Sequence, residues 1–101
     1  MAKIIFECSG GMLDQDRDLT VNLDNLPNGE AHTLLQLIQD ANFFNLPSNL
    51  LKHPDPEKIQ YAITVDAGIV FHTVRANENS TPQSLRPLLN ELSARMGATL
   101  V

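Results

Sequence analysis

Alternation of period two, met four times along the chain, decides most of what this sequence can become. Ile4, Phe6 and Cys8 alternate with Lys3, Ile5 and Glu7, and Leu19, Val21 and Leu23 alternate with Thr20, Asn22 and Asp24. Farther on, Ile59, Tyr61, Ile63 and Val65 keep the same rhythm, and after "DAG" so do Val70, His72 and Val74 against Ile69, Phe71 and Thr73. Successive side chains of a strand point to opposite faces, so each run reads as a strand with one apolar face. Between the first two, "SGGMLDQDRD" begins with Gly10 and Gly11. Glycine takes positive φ at little cost, so the pair can reverse the chain into a wide hairpin tip. The "DAG" turn closes a second hairpin.

Each hairpin is followed by a helical pattern. In "LPNGEAHTLLQLIQDANFF", Pro27 and Asn28 sit near a helix start, Glu30 suits the first turn, and Ala31, Leu34, Leu35, Ile38 and Ala41 keep helical spacing. A helix near Glu30 to Asn42 is expected. In "STPQSLRPLLNELSARMG", Ser80 or Thr81 is a candidate cap, Pro82 falls in the first turn, and Leu85, Leu88, Leu89, Leu92 and Met96 form one stripe that Gly97 ends. A second helix near Ser84 to Met96 is expected. Between the first helix and the third strand, "FFNLPSNLLKHPDPEK" carries Pro47, Pro54 and Pro56 and reads as a long loop. Loops of that length need pinning, and Phe43, Phe44, Leu46 and Leu50 are the candidate pins.

A sheet with one apolar face and two amphipathic helices has a simple two-layer solution. The expected architecture is therefore α+β, in the order ββαββα. A four-stranded, mostly antiparallel sheet has both helices packed on one face, and one domain spans residues 1–101. If the first strand runs up, the Gly-Gly tip lies at the top, the second strand descends, and the first helix climbs back. The proline-rich loop then also lies at the top, and "DAG" at the bottom. The two irregular segments become neighbours.

Composition removes several functions. Seven Lys plus Arg against twelve Asp plus Glu leave a net charge of -5, with no basic cluster able to neutralise a run of phosphates. No nucleic-acid partner is expected. The start "MAKIIFECSG" lacks the apolar core of a signal peptide, and no apolar run reaches the ~18 residues of a membrane span. A cytoplasmic chain, free of membranes, is expected. The single Cys8 excludes an internal disulfide and any multi-cysteine zinc motif, and within a strand pattern it reads as a small core residue.

Catalytic patterns do not assemble. His32, His53 and His72 share no metal-ligand spacing; His72 on a strand reads as structural or as a surface group, and His53 as solvated. The Gly-Gly pair leads into another strand rather than a helix, so it is no phosphate loop, and Ser9 lacks the strand-to-helix turn of a nucleophile elbow. No enzyme, cofactor or resident metal is expected. Contacts remain. Met12 and Leu13 can fold back as a lid on the sheet edge, or anchor a partner as large apolar side chains in a polar rim do. Asp14, Asp16 and Asp18 are either a solvated rim or carboxylates that reach a metal held by another protein.

"SGGML" with Arg17 downstream, "LIQDANFFNLPSNL", "YAITVDAGIVFHTV" and "TPQSLRPLLNEL" resemble, in that order, the emfourin family of bacterial proteinaceous inhibitors of protealysin-like metalloproteases, which belong to the thermolysin family. The resemblance runs from about Ile4 to Leu92. It departs at the tip, where similar proteins carry Gly-Gly-Phe-x-Gly and this chain has "GGMLDQD". The resemblance implies an inhibitor whose two adjacent loops fill the cleft of a zinc protease. Gly10, Gly11, Met12 and Leu13 match the contact segment by position, with Asp14, Asp16 or Asp55 as the carboxylate offered to the target's zinc. A monomer with a protein partner is expected. The alternative is a non-inhibitory interaction module that uses its acidic face as an adaptor.

Overall fold

A computed structural model describes residues 2–10, 17–51 and 59–96 of the chain. Four strands form its centre: β1 (Lys3–Gly10), β2 (Arg17–Asn22), β3 (Ile59–Asp66) and β4 (Phe71–Asn77). They lie in the order β2-β1-β3-β4, and every neighbouring pair is antiparallel. Helices α1 (Asn28–Asp40) and α2 (Arg86–Met96) follow the two hairpins, so the expected ββαββα order holds.

The alternation sorts the faces as expected. Ile4, Phe6 and Cys8 of β1, Val21 of β2, Tyr61, Ile63 and Val65 of β3, and Val74 and Ala76 of β4 are buried in a single cluster. Leu34 and Ile38 of α1 and Leu88, Leu89 and Leu92 of α2 join the same cluster, so both helices cover one face. The stripe on α1 is rotated from the expected one. Leu35 stays 44% exposed while Leu37 packs against the core. On the open face, Ala62 and Thr64 of the central β3 are nevertheless buried, and the Thr64 and Thr73 hydroxyls bond at 2.8 Å across the strands.

Element ends differ from the sequence expectation for local reasons. Helix α1 begins at Asn28 rather than Glu30, because Pro27 serves as its cap and its carbonyl accepts the amides of Glu30 and Ala31. It stops at Asp40, since Asn42 takes a left-handed φ of 53° and breaks the helical ladder. Ser80 and Thr81 do not cap α2. Ser80 belongs to a capping box with Asn77 on a 3-10 turn, and the Thr81 hydroxyl donates to the Asn77 carbonyl at 2.7 Å. Pro82 instead opens a 3-10 turn over Gln83–Leu85, and α2 follows from Arg86 with Pro87 in its first turn. Leu23 likewise leaves the strand for a 3-10 turn, yet keeps its buried place.

Candidate functional site

The chain leaves β1 at Gly10 and re-enters the sheet at Arg17, and it enters β3 at Ile59. In the register of β1 and β3, Gly10 stands opposite Ile59, while Arg17 stands opposite Cys8. Three strand ends therefore meet at one end of the sheet. Gly10 has a φ of 81°, the conformation that the first glycine of the pair was expected to supply. The turn at Ala67 to Val70 lies at the other end, where Asp66 pairs with both Lys3 and Phe71.

The start of the proline-rich loop is bound to β4. Asn49 makes a parallel bridge to Arg75; the Leu50 amide donates to the Arg75 carbonyl at 2.8 Å, and the Arg75 amide donates to the Ser48 carbonyl at 2.9 Å. Ser48 to Leu50 thus extend the sheet beyond β4 and cover its edge at this point. The Asn49 side chain then accepts the Leu51 amide at 3.0 Å and turns the chain. Phe43 is buried, and its ring meets Phe44 and His72 edge to face at 5.7 and 5.6 Å. Leu46 and Leu50 pack against the core, so all four expected pins have a structural role, Phe44 through its ring contacts.

Below these loop ends the open face forms a concavity of about 360 Å³. Its described lining includes Glu7, Ser9, Asp18, Leu51, Gln60 and Arg75. Strand order makes one row of Asp18, Glu7, Ala62 and Arg75. Glu7 and Asp18 stand directly opposite, and like charges so placed repel. The row therefore carries a negative end at β2 and a positive end at β4. Sequence alternation had already put Glu7 on the polar face, but its row partners depend on the strand order β2-β1-β3-β4, which no local pattern encodes.

Of the residues expected to make contact, Gly10 lies at the end of β1, as just described. Gly11, Met12, Leu13, Asp14, Asp16 and Asp55 lie outside the described residues. Asp18 lies exposed in β2, opposite Glu7. Among the described residues, no three His, Cys, Asp or Glu side chains converge as metal ligands, and no helix is long and apolar enough to cross a membrane. Cys8 is buried, and burial pushes its thiol up to about 11 against a smaller opposing pull from Arg17. A thiol so held stays protonated and is a poor nucleophile.

The two-layer α+β scaffold thus brings the strand ends that flank segments 11–16 and 52–58 together at one end of its sheet. The Emfourin family model matches residues 6–93, nearly the whole chain, and the chain belongs to that family. No curated protein and no solved structure matches it. Emfourins are an inhibitor family, which gives this chain the general role of a protease inhibitor with a protease as partner, and points away from an enzyme.

Proposed function

We propose that the chain is a reversible, active-site-directed inhibitor of a thermolysin-family, protealysin-like zinc metalloprotease. It works as a monomeric single domain in the bacterial cytoplasm. The observation that carries this reading is the pairing of Gly10 with Ile59, the residue before segment 11–16 with the residue after segment 52–58. A protease of this kind has an apolar specificity pocket next to a zinc whose open position holds water. Met12 and Leu13 enter the pocket, and a carboxylate from Asp14, Asp16 or Asp55 takes the place of the water. The carboxylate is a hard oxygen donor that zinc accepts, and it brings no peptide bond for the enzyme to cut.

Steady-state inhibition of a protealysin-like protease by the purified chain tests the reading. Competitive inhibition with a fixed stoichiometry supports it. A chain that inhibits no thermolysin-family protease, yet binds a basic protein, supports the adaptor instead. The opposed carboxylates of Glu7 and Asp18 favour that second reading, since a cationic partner relieves their repulsion.

A further inference from the structure

Opposite charges share the open face of the sheet without pairing. Asp18 of β2, Glu7 of β1, Ala62 of β3 and Arg75 of β4 stand in one row, and the three charged residues are exposed. Among the described residues the ion pair that forms joins Arg95 to Glu30; Glu7, Asp18 and Arg75 enter none. Neighbouring strands lie about 4.8 Å apart, so the Glu7 and Arg75 backbones, two strands apart, stand roughly 10 Å from each other. The floor between them is the buried methyl side chain of Ala62, with Ser9 and Gln60 paired in the next row of the same face. The concavity over these rows, about 360 Å³, is of a size that takes a small ligand.

We propose that this concavity binds a short peptide with free ends, its ammonium held between Glu7 and Asp18 and its carboxylate held by the Arg75 guanidinium. Opposed residues on paired strands hold their Cβ atoms about 5 Å apart, close enough for one ammonium to meet both carboxylates and relieve their repulsion. The guanidinium offers a fork of N–H donors that matches a carboxylate. An extended chain spans about 3.3 to 3.6 Å per residue, so two or three residues cover the roughly 10 Å between the two ends of the site. A single amino acid is too short to reach both. Ser9 and Gln60 supply hydrogen bonds for the peptide backbone in between, where Ala62 leaves room. The inference stands apart from the inhibitor reading, and it differs from a purely cationic partner in requiring Arg75.

Trialanine is the probe, titrated into the full chain at neutral pH and low ionic strength, where exposed charges are least screened. Amide chemical shifts are followed by NMR, with N-acetylated and C-amidated trialanine as controls. Shifts of Glu7, Ala62 and Arg75 should move together and saturate, while those of Leu34 and Leu88 in the helices stay fixed. Blocking either end of the peptide should weaken binding by roughly fivefold, the weight of one exposed charge-assisted contact. Two variants assign the ends. In Glu7→Gln the acetylated and free peptides should bind nearly alike, and in Arg75→Gln the amidated and free peptides should; Arg75 holds Ser48 and Leu50 through backbone atoms, which this change keeps. Should either variant fail to fold, the comparison of free and blocked peptides on the wild type still decides. Shifts that never saturate, or blocked peptides that bind the wild type as well as the free one, overturn the proposal. An amidated peptide that binds as well as the free one while the acetylated one does not also overturns it, and leaves the cation-binding face of an adaptor.

Discussion

Gly10 faces Ile59 across β1 and β3, and this single register pair places the exits of both loops at one end of the sheet. The pairing belongs to a ladder of eight pairs, from Lys3 with Asp66 to Gly10 with Ile59, of which Ile4 with Val65, Phe6 with Ile63 and Cys8 with Tyr61 are buried on the covered face. A slip of one residue would turn Ile4, Phe6 and Cys8 out to solvent, so burial fixes the register and the register sets the site.

The backbone at Gly10 should therefore tolerate no side chain. Gly10→Ala forces a φ of 81° on an L residue and should cost about 1 to 2 kcal/mol of stability, read by urea unfolding, while weakening inhibition. Gly29 is the contrast. It lies in the first turn of α1, and a Cβ added there meets nothing within 4 Å. Gly29→Ala should raise stability by about 0.5 to 1 kcal/mol and leave inhibition as it was.

The far end of the molecule should be silent. Ile69 is 99% exposed and Phe71 67% exposed beside the β3–β4 turn, as far along the sheet from Gly10 as the register allows. Ile69→Ser and Phe71→Ser should each change stability by no more than about 0.5 kcal/mol. Titration against the protease should give wild-type inhibition. A loss of inhibition in either variant would place the contact at the wrong end.

Much of this architecture is legible in the sequence, because burial writes a period of two or of 3.6 into long segments. Ile4, Phe6 and Cys8 on one side, and Leu85, Leu88, Leu89 and Leu92 on the other, declare their faces directly. The neighbouring loop ends also follow from element order alone. What stays hidden depends on distant partners. Ser80 and Thr81 look like caps for α2, but Asn77 at the end of β4 captures both. Leu35 fits a helical stripe as well as Leu37 does, and only the angle at which α1 meets α2 and the sheet decides between them. His72 shows an alternating residue and nothing more, since its partner Leu46 comes from the connection between α1 and β3. The row of Glu7 and Arg75 likewise exists only through strand order.

Burial of Cys8 gives a dependence on pH with a definite sign. The folded thiol is held at about 11 against an ordinary 9.0, so above pH 9.0 the unfolded chain gives up a proton that the folded chain keeps. Ionisation thus favours unfolding: the contribution to stability is intact below pH 9.0 and is lost as pH rises through about 11. Unfolding free energies of the wild type and Cys8→Ala, compared over that window, should converge as pH rises. Thiol-directed reagents should also label native Cys8 far more slowly than the denatured chain.

The carboxylate assignment divides cleanly by single changes. Asp14→Asn, Asp16→Asn and Asp55→Asn each keep the side-chain shape while removing the charge that favours zinc. One of the three should lose far more inhibition than the other two, with thermal stability nearly unchanged in all. Three variants of equal potency would leave a cleft blocked by apolar contact alone.

The most direct test of loop-borne inhibition is the inhibition constant of the double variant Met12→Ser, Leu13→Ser, measured beside its melting temperature on a protease that the wild type inhibits. If these side chains anchor the chain in the specificity pocket, the constant should rise by the equivalent of roughly 2 to 4 kcal/mol, the scale of lost interface hot spots. The melting temperature should hold. Unchanged inhibition, together with a melting temperature lowered by several degrees as when buried apolar groups are lost, would contradict the account.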